Sequence, residues 1–103
     1  MALFRRRRTP GPVGPKDAER AAVEHLRQFT QTRQGVEAYI EPVTNVTQTT
    51  LVLVAVTGEW TRRRVPDART ARSIAQSLAI PVYDVQLTGY PSRMREWSSR
   101  KKG

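Results

Sequence analysis

Among the side chains able to do chemistry in this sequence, the guanidinium dominates. Arginines stand in a row at Arg5, Arg6, Arg7 and Arg8, recur at Arg62, Arg63 and Arg64, and follow three apart at Arg69 and Arg72. Arg93, Arg95, Lys101 and Lys102 carry the same character to the end of the chain. Guanidinium forks match phosphate oxygens and do not act as bases, so the pattern points to contact with a polyanion rather than to bond-making. Groups that would make or break bonds are scarce. His25 is the only histidine and cysteine is absent, which removes thiolate nucleophiles, thiolate metal sites, iron–sulfur clusters and disulfides. A serine or threonine nucleophile needs a base and an orienting group, and a lone histidine beside a helical apolar stripe reads as a packed residue. Glu37 and Glu41 share a strand face with their backbones ~13 Å apart, too far to share a proton. They read as partners for arginines across a sheet. Gly11 and Gly14 alternate with Pro12 and Pro15, and prolines lack the amide hydrogens that a phosphate cradle requires. No catalytic residue, metal or cofactor is expected.

The location of the charge sharpens this. The chain has 103 residues and a formal charge of +9. Its first sixteen positions carry Arg5 to Arg8 and Lys16 with no carboxylate, and its last thirteen carry Arg93, Arg95, Arg100, Lys101 and Lys102 against Glu96 alone. Between them arginines and carboxylates are equal in number. A neutral body with basic ends suggests electrostatic arms on a scaffold, because flexible cationic segments gain from counterion release. Tyr39 and Trp60, on a sheet surface with the arginines, would offer faces on which unpaired bases stack.

These groups need a scaffold. Residues 1–14 combine arginines with prolines and glycines and read as a disordered basic arm. Pro15 opens a helix, with Asp17 and Glu19 in its first turn, and Ala18, Ala22, Leu26 and Phe29 form its apolar stripe up to Gly35. Val36, Ala38 and Ile40 alternate with Glu37, Tyr39 and Glu41, the period of a half-buried strand ending at Pro42. Leu51 to Thr57 is the strongest strand. A two-residue Gly58-Glu59 turn would return it on Trp60 to Val65. That register places Val52, Val54 and Val56 with Thr61, Arg63 and Val65, and Leu53 and Ala55 with Trp60, Arg62 and Arg64. Asp67 caps a second helix along Ala71, Ile74, Ala75 and Leu78. Val82 to Leu87 reads as a fourth strand, and a last short helix is capped by Ser92 and docked by Met94 and Trp97.

The segments "GVEAYIEP", "TGEWTRRRVP", "IPVYDV" and "GYPSRM" resemble a group of small uncharacterised actinobacterial proteins, over most of the folded body. Some of these carry an oxidoreductase label, which would imply redox chemistry that no dinucleotide fingerprint, cysteine pair or metal cluster of this sequence accompanies. The order helix, three strands, helix is similar to the double-stranded-RNA-binding domain, and the resemblance implies phosphate contacts at Arg69 and Arg72. That family's lysine cluster and histidine-bearing loop are absent, and a strand and a helix are added.

The expected fold is α+β: a mostly antiparallel sheet of three or four strands, two main helices on one face, in the order α-β-β-β-α-β with a short C-terminal helix. Residues 15–100 form one domain and 101–103 a basic tail. A crossover helix before the fourth strand permits a parallel neighbour, so its place in the sheet stays open. The longest apolar run is too short to cross a bilayer, and no apolar stretch follows Arg5 to Arg8 as an export signal would require. A cytoplasmic protein is expected. Two functions follow. One is a non-enzymatic nucleic-acid binder, for RNA more than DNA, using Arg5, Arg6, Arg7, Arg8, Arg62, Arg64, Arg69, Arg72, Arg93, Arg95, Lys101 and Lys102. The other is a protein-interaction adaptor with an acidic partner.

Overall fold

Apolar residues recurring at helical spacing, then alternating, then helical again, build eight elements. In a computed structural model, which describes residues 15–42 and 48–102, these are α1 (Pro15–Thr32), β1 (Glu37–Glu41), β2 (Thr50–Val54), β3 (Trp60–Arg64), α2 (Ala68–Ser77), β4 (Val82–Asp84), α3 (Val85–Thr88) and α4 (Ser92–Lys102). The basic arm expected over residues 1–14 lies outside the described residues. The class is α+β, as the patterning predicts. The sheet has the order β3-β2-β1-β4, with β1, β2 and β3 antiparallel and β4 joined to β1 in parallel. The crossover through α2 makes that parallel pairing possible, because chain direction must be restored before β4 can lie beside β1.

Each face of the sheet carries its own core. Ala38, Ile40, Leu51, Leu53 and Ala55 point to one side, where Leu26 and Phe29 of α1 and Ala71, Ile74 and Ala75 of α2 close over them. Tyr39, Val52 and Val54 point to the other, where Met94 of α4 and the indole of Trp60 cover them. Helices therefore pack on both sides of the sheet. The alternation of β1 predicts a half-buried strand, yet Tyr39 is only 6% exposed. The difference comes from α4, whose apolar contacts are too few to mark it in advance as a covering layer.

Three local expectations are corrected. The β2–β3 hairpin pairs Val54 with Trp60, not Thr57 with Trp60. The Ala55 amide donates to the Glu59 carbonyl at 2.8 Å and the Gly58 amide to the Ala55 carbonyl at 2.9 Å, giving a longer loop. The shift is odd, so every side chain of β3 changes face: Thr61 and Arg63 look toward α1, and Trp60, Arg62 and Arg64 toward the α4 side. Gly58 causes it. Its φ is +96°, and a Cβ there would lie 2.1 Å from the Arg93 carbonyl oxygen, so the turn is held beneath α4 where only glycine fits. The fourth strand ends at Asp84, because its carboxylate accepts from the Gln86 amide at 2.8 Å and starts the single turn of α3. Leu87, expected on that strand, is 86% exposed. Finally, Ser92 is the first residue of α4 rather than its cap, and the Pro91 carbonyl accepts from the Met94 amide at 3.0 Å.

The second helix begins as predicted. Asp67 is its N-cap, extended in backbone and accepting from the Thr70 amide at 2.7 Å. Beyond Leu78 the chain turns through Ala79 at φ +59°, with the Ile80 amide on the Ala75 carbonyl and the Ala79 amide on that of Gln76. This is a Schellman closure with alanine where glycine is usual. No described helix is long and apolar enough to cross a membrane.

Candidate functional site

The sequence directs attention to arginines, and the fold separates them into three groups. Arg93 turns inward. Its Nε donates to the Ala55 carbonyl at 2.9 Å and one terminal nitrogen to Glu37 Oε1 at 2.7 Å. This guanidinium anchors the start of α4 to the ends of β1 and β2, which employs the donors a phosphate would need. The Glu37 carboxyl is held below its usual range by the Arg93 hydrogen bond first, with the Tyr39 hydroxyl adding to it against desolvation.

Arg62 forms the second group with its surroundings. Its guanidinium reaches across β2 to Glu41 on β1 at 3.0 Å and lies 5.2 Å from the Trp60 ring centroid. Tyr90 also donates its hydroxyl to Glu41. The expectation that Glu37 and Glu41 meet arginines across the sheet is met at Glu41, whose partner Arg62 is on β3, whereas the partner of Glu37, Arg93, comes from α4.

The third group remains open to solvent. Arg64 at the end of β3, Arg69 and Arg72 on α2, and Arg95 on α4 are exposed and form no ion pair among the described residues. Arg64 and Arg69 flank the short link between β3 and α2, whose only carboxylate, Asp67, is engaged as the helix cap. Arg69 and Arg72 stand one turn apart on the same helix. Arg5 to Arg8 lie outside the described residues, as do the side chains of Lys101 and Lys102 at the end of α4.

His25 needs separate treatment because it shares a cavity with a carboxylate. About 300 Å³ of space lies between α1 and β3, lined by His25, Phe29, Arg33, Glu59, Trp60 and Thr61 among others. His25 Nε2 is 2.7 Å from Thr61 Oγ1, a spacing that invites a nucleophile–base reading. The other ring nitrogen decides otherwise. Arg63 contacts Nδ1 at 3.0 Å, and a guanidinium only donates, so Nδ1 accepts and the proton of the neutral ring sits on Nε2. His25 thus donates to Thr61 and cannot take its proton. Glu59 does not orient the ring, because it is paired with Arg33 at 2.5 Å. Burial first, and then Arg63 and Arg33, push the His25 pKa down and keep the ring neutral.

A cluster with no motif to mark it lies at the opposite edge of the sheet. Tyr39 on β1 and Tyr83 on β4 are register partners, with ring centroids 5.4 Å apart and planes at 32°. The turn after α3 brings Tyr90 alongside, and the space between, about 220 Å³, is lined by Glu37, Tyr39, Tyr83, Gly89 and Tyr90 among others. The parallel β1–β4 pairing assembles it, and no local spacing of tyrosines announces that pairing. No protein-family model, curated protein or solved structure matches the chain.

Proposed function

We propose that this protein is a non-enzymatic nucleic-acid-binding module whose docking surface is the β3–α2 segment. The supporting observation is the charge left over once internal pairs are formed. Trp60 to Arg72 holds Arg62, Arg63, Arg64, Arg69 and Arg72 against Asp67 alone; Arg62 is paired with Glu41 of β1, and Asp67 is capping α2. Arg64, Arg69 and Arg72 are exposed without an ion pair among the described residues, so binding a phosphate there breaks no internal contact. Arg95 and the basic ends, Arg5 to Arg8 with Lys101 and Lys102, add affinity that does not depend on sequence. Arg93 serves the fold instead.

Titration against RNA and DNA at several salt concentrations tests this. Affinity should fall linearly with log salt, and deleting residues 1–14 should reduce the slope by about three units, at roughly 0.7 to 0.9 per phosphate contact. Binding that is absent, or unaffected by salt, overturns the reading and favours a protein partner held by aromatic anchors.

A further inference from the structure

The tyrosine cleft at the β4 edge lies on the same sheet face as Arg62 and Arg64. Register carries one row straight across the sheet, Tyr83 beside Tyr39, Tyr39 beside Val52 and Val52 beside Arg62. The gap from β4 to β3 is three strand spacings, roughly 14 Å. A polar link joins the two ends, since Arg62 and Tyr90 both hydrogen-bond to Glu41 and Tyr90 lines the cleft.

Tyrosine rings line the cleft. Tyr83 and Tyr90 are each 37% exposed, whereas Tyr39 beneath is buried. Its charges are matched, Glu37 with Arg93 and Glu41 with Arg62, which favours neither a free cation nor a free anion. One acceptor stays open. Glu37 Oε1 accepts from both Tyr39 and Arg93, and Oε2 has no hydrogen-bond partner among the described residues. The lowered pKa of Glu37 keeps that oxygen an acceptor at neutral pH. A neutral planar ring with N–H donors on its edge satisfies these demands together.

We infer that this cleft receives an unpaired nucleobase, stacked on Tyr83 with its N–H edge on Glu37 Oε2, while the attached backbone runs toward Arg62 and Arg64. Guanine, whose adjacent ring and amino N–H groups can both converge on that one oxygen and its two lone pairs, is the best match. The inference rests on the nucleic-acid reading and narrows it to single-stranded segments, because a paired base cannot present that edge.

The full chain is titrated with a guanine-containing single strand, with an abasic strand of equal length, and with guanosine 5′-monophosphate against ribose 5-phosphate while tyrosine ring resonances are followed. The base-containing strand should bind more tightly, and Tyr83→Leu should weaken it about 5- to 100-fold, the usual worth of one stacked base, while leaving the abasic strand unaffected. Guanosine monophosphate should shift the Tyr83 and Tyr90 ring signals and ribose phosphate should not, a readout on the unmutated protein. Equal binding of the two strands with no ring shifts overturns the cleft assignment and leaves the phosphate-binding surface standing. If neither strand binds, the nucleic-acid reading fails, and ring shifts with the monophosphate alone would keep the cleft as a nucleotide site.

Discussion

Single residues carry consequences that can be measured separately. Ala79 occupies a left-handed position, φ +59°, at the Schellman closure of α2. Its Cβ is strained there by about 1–2 kcal/mol, partly offset by the greater freedom glycine has in the unfolded chain. Ala79→Gly should therefore raise stability by about 0.5–1 kcal/mol in urea denaturation. Gly58→Ala should act in the opposite sense and more strongly. The added Cβ meets the Arg93 backbone in addition to an unfavourable φ, so a loss of at least about 2 kcal/mol is expected. For His25 the sign follows from its neutral folded state. Its pKa lies below the ordinary 6.5, so below that pH the unfolded chain binds the extra proton and stability falls as the pH is lowered further. Thermal melts of the wild type between pH 7.5 and 5 should show this decline, and His25→Gln should flatten it.

Elements were legible to the extent that their causes are local. The stripe of Ala22, Leu26 and Phe29, the Asp67 cap and the alternation of β1 each sit within a few residues, and α1, α2 and β1 stand where these place them. The register of β3 was not legible, because Gly58 is held by the backbone of Arg93, far along the chain. The second core was missed for the same reason: Met94 docks α4, but only the folded sheet shows that Tyr39, Val52 and Val54 require a cover. Of the candidate arginines, Arg64, Arg69, Arg72 and Arg95 remain open, while Arg93 is the fastener of α4, a role that depends on the position of Glu37 in three dimensions. Arg93→Met should therefore act as a fold variant, removing charge-assisted hydrogen bonds worth about 1.5–3 kcal/mol. It should also loosen α4 enough to red-shift the tryptophan emission, to which Trp97 of α4 and Trp60, whose indole N–H donates to Ser98 at 3.0 Å, both contribute.

At the scale of the molecule, sequence counting makes the body neutral, and structure shows the neutrality to be uneven. Glu24, Glu37, Glu41 and Glu59 each pair with an arginine, which leaves the positive excess along β3 and α2. Replacing Arg64, Arg69 and Arg72 together by alanine should lower the salt slope of nucleic-acid binding by about two to three units and change stability little, since exposed unpaired charges contribute little to folding. Arg62, Arg63 and Arg64 guard β3, an edge strand, against strand-to-strand association through like-charge repulsion. At the other edge, β4 meets β1 through only three register pairs, Ala38 with Val82, Tyr39 with Tyr83 and Ile40 with Asp84. These partners lie 44 residues apart in the chain, whereas the β1–β2 and β2–β3 pairs close short loops. Loop closure delays distant contacts, so the three-stranded meander should assemble first and β4 should dock last. An edge that docks late and holds by few bonds also opens first. In native-state hydrogen exchange the Ala38 amide, which donates to the Pro81 carbonyl at 2.9 Å, should exchange well before the Leu53 amide in the middle of β2. The wall of tyrosines would then come and go with β4, opening more often than the protein unfolds.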